Sequence, residues 1–206
     1  MFKNDKKVNS GLATKRVKDL LDEHIRMLTR KNRTFQVIRD EGYYLDQPIN
    51  PDNPEDYVKI GYILQKKFLT RTFCLEFRTA IKDVYFPEEF KLKLNFRGFP
   101  QIERVYFKGK KESEKYEKYF NDTGLLEKLK RIALIVDIDF VTIEYNRSLA
   151  ALIIKVAPIP GGVIWIVFPP LYYKMPLKQI EIDALWDAML LLRKYAMKKA
   201  GDNNWV

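Results

Sequence analysis

The chain has 206 residues, of which 47% are apolar and 14% aromatic, and its formal net charge is +10. This composition supplies a packed core and excludes global disorder. One cysteine, Cys74, excludes an internal disulfide and a cysteine-rich zinc site. One histidine, His24, excludes metal sites that need two imidazoles, and we expect it to edge an apolar helix face.

No stretch reaches the ~20 apolar residues of a membrane-spanning helix. The start MFKNDKK has no apolar stretch behind it, so we expect no signal peptide and a cytoplasmic protein. Residues 1–10 are expected to form a flexible basic tail. Residues 11–206 are expected to form a single α+β domain, with two similar halves meeting near residue 109 as an alternative.

The first half of the chain predicts a helix followed by several strands. Helical spacing of apolar residues covers residues 12–31, and a strand is predicted over 33–39. Residues 54–66 are ambiguous, because Asn53 and Pro54 favour a helix start while residues 58–64 alternate. We favour a strand there. Clear period-two alternation predicts further strands over 70–78, 90–96 and 101–109.

The second half predicts helices around three strands. A charged helix over 110–122 precedes a helix over 123–136, which Asp122 or Thr123 would cap. Strands over 140–145 and 149–157 are joined by a hairpin, and residues 158–162 form a turn before the strand VIWIVF. A long helix covers 176–200. The fold class is therefore α+β, with a mainly antiparallel sheet on which the N-terminal helix, the mid-chain helical segment and the long C-terminal helix pack.

The apolar run VIWIVF, residues 163–168, does not alternate. A strand of this kind is covered on both faces. We predict an inner strand with the long C-terminal helix over one of its faces.

Catalytic residues are not apparent in the sequence. Gly161 and Gly162 are followed by neither a lysine nor a helix start, so they predict a turn and not a phosphate loop. Asp137 and Asp139 could bind a divalent metal, but the end of the preceding helix places them in a loop. We expect no catalytic residues, no metal and no cofactor, with these aspartates as the only metal candidates.

Three segments could form binding surfaces, each with a solvated or core-packed alternative. Residues 1–33 hold ten Lys or Arg against four Asp or Glu, which favours an anionic partner. The candidate contacts of this basic segment are Lys15, Arg16, Lys18, Arg26, Arg30, Lys31 and Arg33. The proline-bounded segment 169–176 is predicted to be a stiff loop that contacts protein through Leu171, Tyr172, Tyr173 and Met175.

The third segment is FKLKLNFRGF, residues 90–99, where basic and aromatic residues alternate. Such a strand could clamp single-stranded nucleic acid by stacking and charge.

These observations favour a non-enzymatic cytosolic binding or accessory protein. Its basic N-terminal helix would engage an anionic partner, and its aromatic loop would contact protein. Direct nucleic-acid binding is the first alternative, so acidic protein and nucleic acid both stay open as partners, as does a homo-oligomer. The second alternative is metal-dependent phosphotransfer or hydrolysis through Asp137 and Asp139.

Overall fold

The predicted strands assemble into one antiparallel sheet, which confirms the α+β fold class. The computed structural model describes residues 12–30, 36–37, 45–48, 57–98, 102–166, 168 and 171–201. The predicted basic tail and the candidate contacts Lys31 and Arg33 lie outside these residues. Within them, no helix is both long enough and apolar enough to cross a bilayer.

Four helices and ten strands make up the described chain. The helices are α1 (Leu12–Thr29), α2 (Glu114–Phe120), α3 (Thr123–Ala133) and α4 (Gln179–Gly201). The strands are β1 (Gln36–Val37), β2 (Leu45–Pro48), β3 (Tyr57–Lys67), β4 (Thr70–Lys82), β5 (Phe90–Arg97), β6 (Arg104–Gly109), β7 (Ile138–Asn146), β8 (Ala151–Pro158), β9 (Val163–Ile166) and β10 (Leu171–Lys174). The ambiguous segment at residues 57–66 is therefore a strand, as favoured from its alternation.

The long strand β4 organises the sheet. The strand order is β1-β2-β3-β4-β8-β7-β5-β6, so β8 and β7, which follow residue 109 in the chain, lie between β4 and β5, which precede it. One edge of β4 pairs with β3 over most of its length. The other edge pairs with β9 near its start and with β8 near its end, so the β9–β10 hairpin branches from the main order at β4.

The apolar run VIWIVF continues the line of β8 along β4. Both strands are antiparallel to β4, with Val156 opposite Phe77 and Val163 opposite Phe73. Six residues, 157–162, thus pass three residues of β4. A Cβ on Gly162 would lie 2.6 Å from the carbonyl oxygen of Phe73, which explains the need for glycine at this close approach. The predicted turn over 158–162 is a detour between two collinear strands.

The prediction that the C-terminal helix covers VIWIVF was wrong, because α4 packs on β4 and β8. Instead α1 approaches the β9–β10 hairpin. The guanidinium of Arg16 stands 4.6 Å from the ring centroid of Tyr172, and Lys174 Nζ lies 2.6 Å from Glu23 Oε2. β9 is an inner strand between β4 and β10, but only Val163 is buried and the rest of β9 is half-buried.

The proline-bounded segment is also not a loop. Leu171–Lys174 forms β10, which pairs with β9 in regular register. The pairing extends through Met175, whose backbone nitrogen donates to Gly162 at 3.0 Å. A four-residue strand between prolines was not distinguishable from a stiff loop by composition alone.

One face of the sheet carries the core, and all four described helices lie on it. Along β4 that face presents Phe73, Leu75 and Phe77, all of them buried. The helices α2 and α3 cover β5 and β6, where the ring of Phe90 stacks on that of Tyr116 at 4.0 Å between centroids. The alternation read in the sequence thus assigned the core positions of these strands correctly.

Buried polar contacts fix α1 to the sheet and to the segment just before α4, and a side-chain cap begins α3. His24, fully buried, accepts a hydrogen bond from the backbone N–H of Leu177 at 3.3 Å. Its other ring nitrogen lies 3.5 Å from the hydroxyl of Tyr62, which donates to the carbonyl of Gly161 at 2.8 Å. Asp122 caps α3 through the backbone nitrogens of Gly124 and Leu125, as predicted. The sequence predicted His24 at the edge of an apolar helix face, whereas the His24 side chain is fully buried.

Candidate functional site

The opposite face of the sheet contacts none of the described helices and is called the open face here. It presents the alternate residues of each strand. On β5, buried Phe90, Leu92 and Leu94 point to the core, whereas Lys91 and Lys93 point to the open face and are exposed. At β5 the open face is polar where the core face is apolar, as expected for a strand with one solvated side. At β8 both faces are buried, because Ile153 and Ala157 on the open-face side are at most 6% exposed.

Six neighbouring strands align polar side chains in one line across the open face, and five of these side chains are basic. Register pairs place Lys59 opposite Arg78, Arg78 opposite Lys155, Lys155 opposite Thr142, Thr142 opposite Lys93, and Lys93 opposite Lys108. We call this line the cationic row. Its members, from β3 to β6, are Lys59, Arg78, Lys155, Thr142, Lys93 and Lys108.

Charges of one sign placed directly opposite one another destabilise a sheet. Side chains in such positions have Cβ atoms about 5 Å apart, and each cation pair costs a few tenths of a kcal/mol to ~1 kcal/mol in water. The row holds three such pairs: Lys59 with Arg78, Arg78 with Lys155, and Lys93 with Lys108. An anion lying along the row would reverse this repulsion.

Exposure increases along the row toward β6. Lys59, Arg78 and Lys155 are half-buried, whereas Lys93 and Lys108 are exposed. In the same direction the face becomes more basic, because β5 and β6 place no acidic residue on it. The most accessible positive charge of the open face is therefore at its β5–β6 end.

A second like-charge pair reinforces that end. Arg97 and Arg104 lie opposite each other, each four residues along its strand from Lys93 or Lys108, and both are exposed. The guanidinium of Arg104 stands 5.6 Å from the ring centroid of Tyr106, which orients it along the face. The strands β5 and β6 therefore form a basic patch at this edge of the sheet, which consists of Lys93, Arg97, Arg104 and Lys108.

Three acidic residues lie on the open face within the strand register, and one of them, Asp46 on β2, is opposite Lys59 at the end of the cationic row. Glu144 forms an ion pair with Lys91, at 3.1 Å between Oε2 and Nζ. Glu76, on β4 two residues before Arg78, is 2% exposed. The basic residues that the face presents in register are Lys59, Arg78, Lys82, Lys91, Lys93, Arg97, Arg104, Lys108 and Lys155. These nine bases outnumber the three acids, but Lys59, Arg78 and Lys82 also interact with other groups of the chain. The positive excess is therefore clearest at Lys93, Arg97, Arg104 and Lys108.

The predicted clamp in FKLKLNFRGF is corrected by this geometry. Its basic residues lie on the open face, but Phe90 is buried in the core and Phe96 packs against it. When aromatic and basic residues alternate along a strand, their side chains point to opposite faces of the sheet. They therefore cannot contact one ligand together. The charged half of that prediction stays, and the stacking half was wrong for these two rings.

The basic segment of α1 is less available than its sequence suggested. Its described basic residues are Lys15, Arg16, Lys18, Arg26 and Arg30, all exposed. Arg16 stacks on Tyr172, and Arg26 donates to the carbonyl of Asp22. Asp19, Asp22 and Glu23 share the helix, so its described part carries a small positive excess. An anionic partner for α1 stays a prediction.

The four candidate contact residues of the segment 169–176 do not share one face, because three of them alternate along β10 and Met175 follows it. Leu171 and Tyr173 are 55% and 65% exposed and lie on the open face, opposite Ile166 and Ile164. Tyr172 and Met175 are half-buried, and burial raises the pKa of the Tyr172 hydroxyl. Only two of the four candidate contact residues are therefore well placed to touch a protein.

The two candidate metal-binding aspartates are exposed and lie near the start of β7. Asp137 precedes the strand, and Asp139 is the extra residue at an irregularity in its pairing with β8. In the described residues no group of three or more His, Cys, Asp or Glu is placed to hold a metal ion. Phosphotransfer or hydrolysis through these residues gains no support from their surroundings.

A shallow cleft lies between β6 and α3. Its volume is about 190 Å³, and its lining includes Arg104, Thr123 and Lys130. Small-molecule sites commonly enclose ~300–1,000 Å³. The size of this cleft does not favour a substrate pocket.

Sequence reasoning missed the members of the cationic row as a group. Lys59 and Lys155 stand between apolar neighbours, Arg78 follows Phe77, and Lys108 follows Phe107, so no run of basic residues marks the row. The one available signal was that each occupies the polar phase of an alternating strand. Their alignment depends on strand order and register, which are set by long-range pairing.

An antiparallel α+β sheet with helices on one face and a basic row across the other defines this chain as an open-faced sheet protein. Residues 45–196 match the family described as "Protein of unknown function (DUF3156)", and the chain belongs to that family. No curated protein and no solved structure matches it. The match contains the whole cationic row and leaves out α1.

Proposed function

We propose that this chain is a non-enzymatic binding protein that holds nucleic acid against the open face of its sheet. The observation that carries the proposal is the cationic row, in which five of six neighbouring strands contribute a lysine or arginine at one level. Nucleic acid is the partner whose charges repeat along a line, and a line of cations neutralises such a partner efficiently.

The dimensions of the row suit a chain of phosphates. Strands of a sheet lie ~4.8 Å apart, so six strands place the ends of the row ~24 Å apart. Lys93 and Lys108 at the exposed end would make first contact, and the half-buried Arg78 and Lys155 would be reached by a chain lying along the face. An acidic protein would need carboxylates arranged in the same line.

Recognition of this kind depends on the phosphate backbone. Phe90 and Phe96 are turned to the core, and the aromatic residues left on the open face beside the row are Phe140 and Tyr106, both half-buried. Sequence-specific binding to single strands relies on exposed aromatic platforms and base edges. We therefore expect binding with little sequence preference and a strong dependence on salt.

The extent of the family match favours the sheet over α1 as the binding surface. The match begins at residue 45, after α1, and includes β3 to β8. A function common to the matched region would be carried by residues inside it. The open face meets this condition, and the basic N-terminal segment does not.

A salt series tests the proposal directly. The full chain is titrated into a 5′-fluorescein-labelled, mixed-sequence 25-nucleotide single strand, and anisotropy is followed between 50 and 300 mM KCl. With five phosphates neutralised, log Kobs should fall against log[KCl] with a slope of about −3.5. A slope near zero, or no binding at 50 mM, would end the nucleic-acid proposal.

A further inference from the structure

Two phenylalanines project from hairpin turns at one end of the sheet. Phe68, between β3 and β4, is 97% exposed, and Phe168, between β9 and β10, is 77% exposed. Phenylalanines are commonly buried, so side chains as exposed as these two contribute little to the packing of the described residues. Two of them in neighbouring turns form a feature that the proposed nucleic-acid surface does not use.

The strand register places these turns side by side. Lys67 pairs with Thr70, Thr70 with Ile166, and Ile166 with Leu171, so the four strand ends lie in one line. Both turns extend beyond this line at the same end of the sheet. Because β3–β4 and β9–β10 are adjacent hairpins, their turns are about 10 Å apart. We call Phe68 and Phe168 the tip phenylalanines.

Other apolar side chains continue from the tips. Leu69 is 46% exposed beside Phe68, and Leu171 and Tyr173 on β10 are 55% and 65% exposed. The sequence around the first tip, KKFLTR over residues 66–71, contains three basic residues and no acidic one. The end of the sheet therefore combines projecting apolar groups with positive charge.

We propose that the tip phenylalanines insert into the interfacial layer of an anionic lipid bilayer. This inference is independent of nucleic-acid binding. Aromatic side chains favour the membrane–water interface, and basic residues near an anionic surface each add about 1 kcal/mol of attraction. A convex tip fits a deformable lipid layer, whereas a protein partner would need two matched pockets about 10 Å apart.

The hairpin ends and the cationic row are separate along β4. Arg78, in the row, is eight residues along the strand from Thr70, at the tip end, which corresponds to ~27 Å of strand. Substitutions at one surface therefore leave the other intact. This separation allows lipid binding and nucleic-acid binding to fail independently.

Vesicle flotation of the full chain tests the inference. Vesicles of phosphatidylcholine with 30% phosphatidylglycerol are compared with phosphatidylcholine alone. The double variant Phe68→Ser, Phe168→Ser should reduce partitioning to the anionic vesicles at least tenfold. The matched control is Tyr85→Ser, which removes a 67% exposed aromatic residue from the β4–β5 connection at the other end of the sheet. It should change partitioning less than twofold.

Insertion depth supplies a second readout that a folding defect does not mimic. Phe68→Trp should show a blue-shifted emission and quenching by brominated lipid in anionic vesicles, and Tyr85→Trp should show neither. The triple variant Lys93→Gln, Lys108→Gln, Lys155→Gln should float with vesicles as the unchanged chain does. Equal flotation of the Phe68→Ser, Phe168→Ser variant and the unchanged chain would overturn the inference. So would loss of flotation in the lysine variant alone, which would assign lipid binding to the open face.

Discussion

His24 on α1 accepts a hydrogen bond from the backbone N–H of Leu177, just before α4, at 3.3 Å. Because this bond uses Nε2 as an acceptor, the proton of the neutral ring is on Nδ1, facing the Tyr62 hydroxyl. The hydroxyl in turn donates to Gly161. One buried imidazole therefore connects the first helix, the sheet, the detour before β9 and the start of the last helix.

This relationship predicts acid sensitivity. Burial lowers the pKa of His24 from 6.5 to about 4. The unfolded chain therefore binds a proton more readily, so the contribution of His24 to stability is complete above pH 6.5 and decreases as the pH falls toward 4. Between pH 7.5 and 5 the free energy of unfolding should decrease by about 2 kcal/mol from this group.

Urea unfolding of the full chain at pH 7.5 and pH 5 measures the effect. The variant His24→Gln should be less stable at pH 7.5 and should lose most of the pH dependence in this interval. An identical decrease in the variant would assign the pH dependence to other groups.

The detour before β9 predicts a steric cost at Gly162. The substitution Gly162→Ala places a Cβ 2.6 Å from the Phe73 carbonyl oxygen, which belongs to the backbone of β4 and cannot rotate away. We expect a loss of about 1–3 kcal/mol in the free energy of unfolding. Gly124→Ala near the start of α3 is the control, because its Cβ meets only Asp122 Oδ1, at 3.3 Å, and should change stability by no more than ~1 kcal/mol. Equal effects from both would contradict the close approach of β9 to β4.

The cap of α3 predicts a smaller effect. Asp122→Ala removes the acceptor for the backbone nitrogens of Gly124 and Leu125, at 2.9 and 3.2 Å, and should cost about 1 kcal/mol. Asp122→Asn keeps an oxygen acceptor and should retain most of the stability. Asp187→Ala, an exposed acid within α4, should alter the thermal midpoint little. A neutral Asp122→Ala substitution would show that the cap is dispensable.

Local sequence patterns were sufficient to predict which residues of the strands and helices form the core. Phe73, Leu75 and Phe77 alternate because one face of β4 is buried, and Asp122 precedes an apolar helical stripe as an N-cap residue does. The same rule of alternation separates the lysines of β5 from Phe90. This rule alone therefore excludes a clamp in which Phe90 and the lysines of β5 act on one ligand.

Long-range pairing could not be derived in this way. The line from Lys59 to Lys108 joins residues from both halves of the chain through five register pairs. Likewise, the β9–β10 hairpin branches from the main strand order at β4. As a result α1 approaches β9 and β10, whereas the sequence had suggested that α4 would cover β9. Neither arrangement has a local signature, because both arise from which strands share the two edges of β4.

The most direct test of nucleic-acid binding compares two variants of equal net charge. Lys93→Gln, Lys108→Gln, Lys155→Gln removes three cations from the row. Lys118→Gln, Lys128→Gln, Lys198→Gln removes three exposed cations from α2, α3 and α4 on the helical side. Anisotropy with the labelled single strand should show the salt slope of the row variant reduced by about 2, with at least tenfold weaker binding at 100 mM KCl, and the helical variant close to the unchanged chain. Equal weakening of both variants would show that binding follows net charge and would contradict a site on the open face.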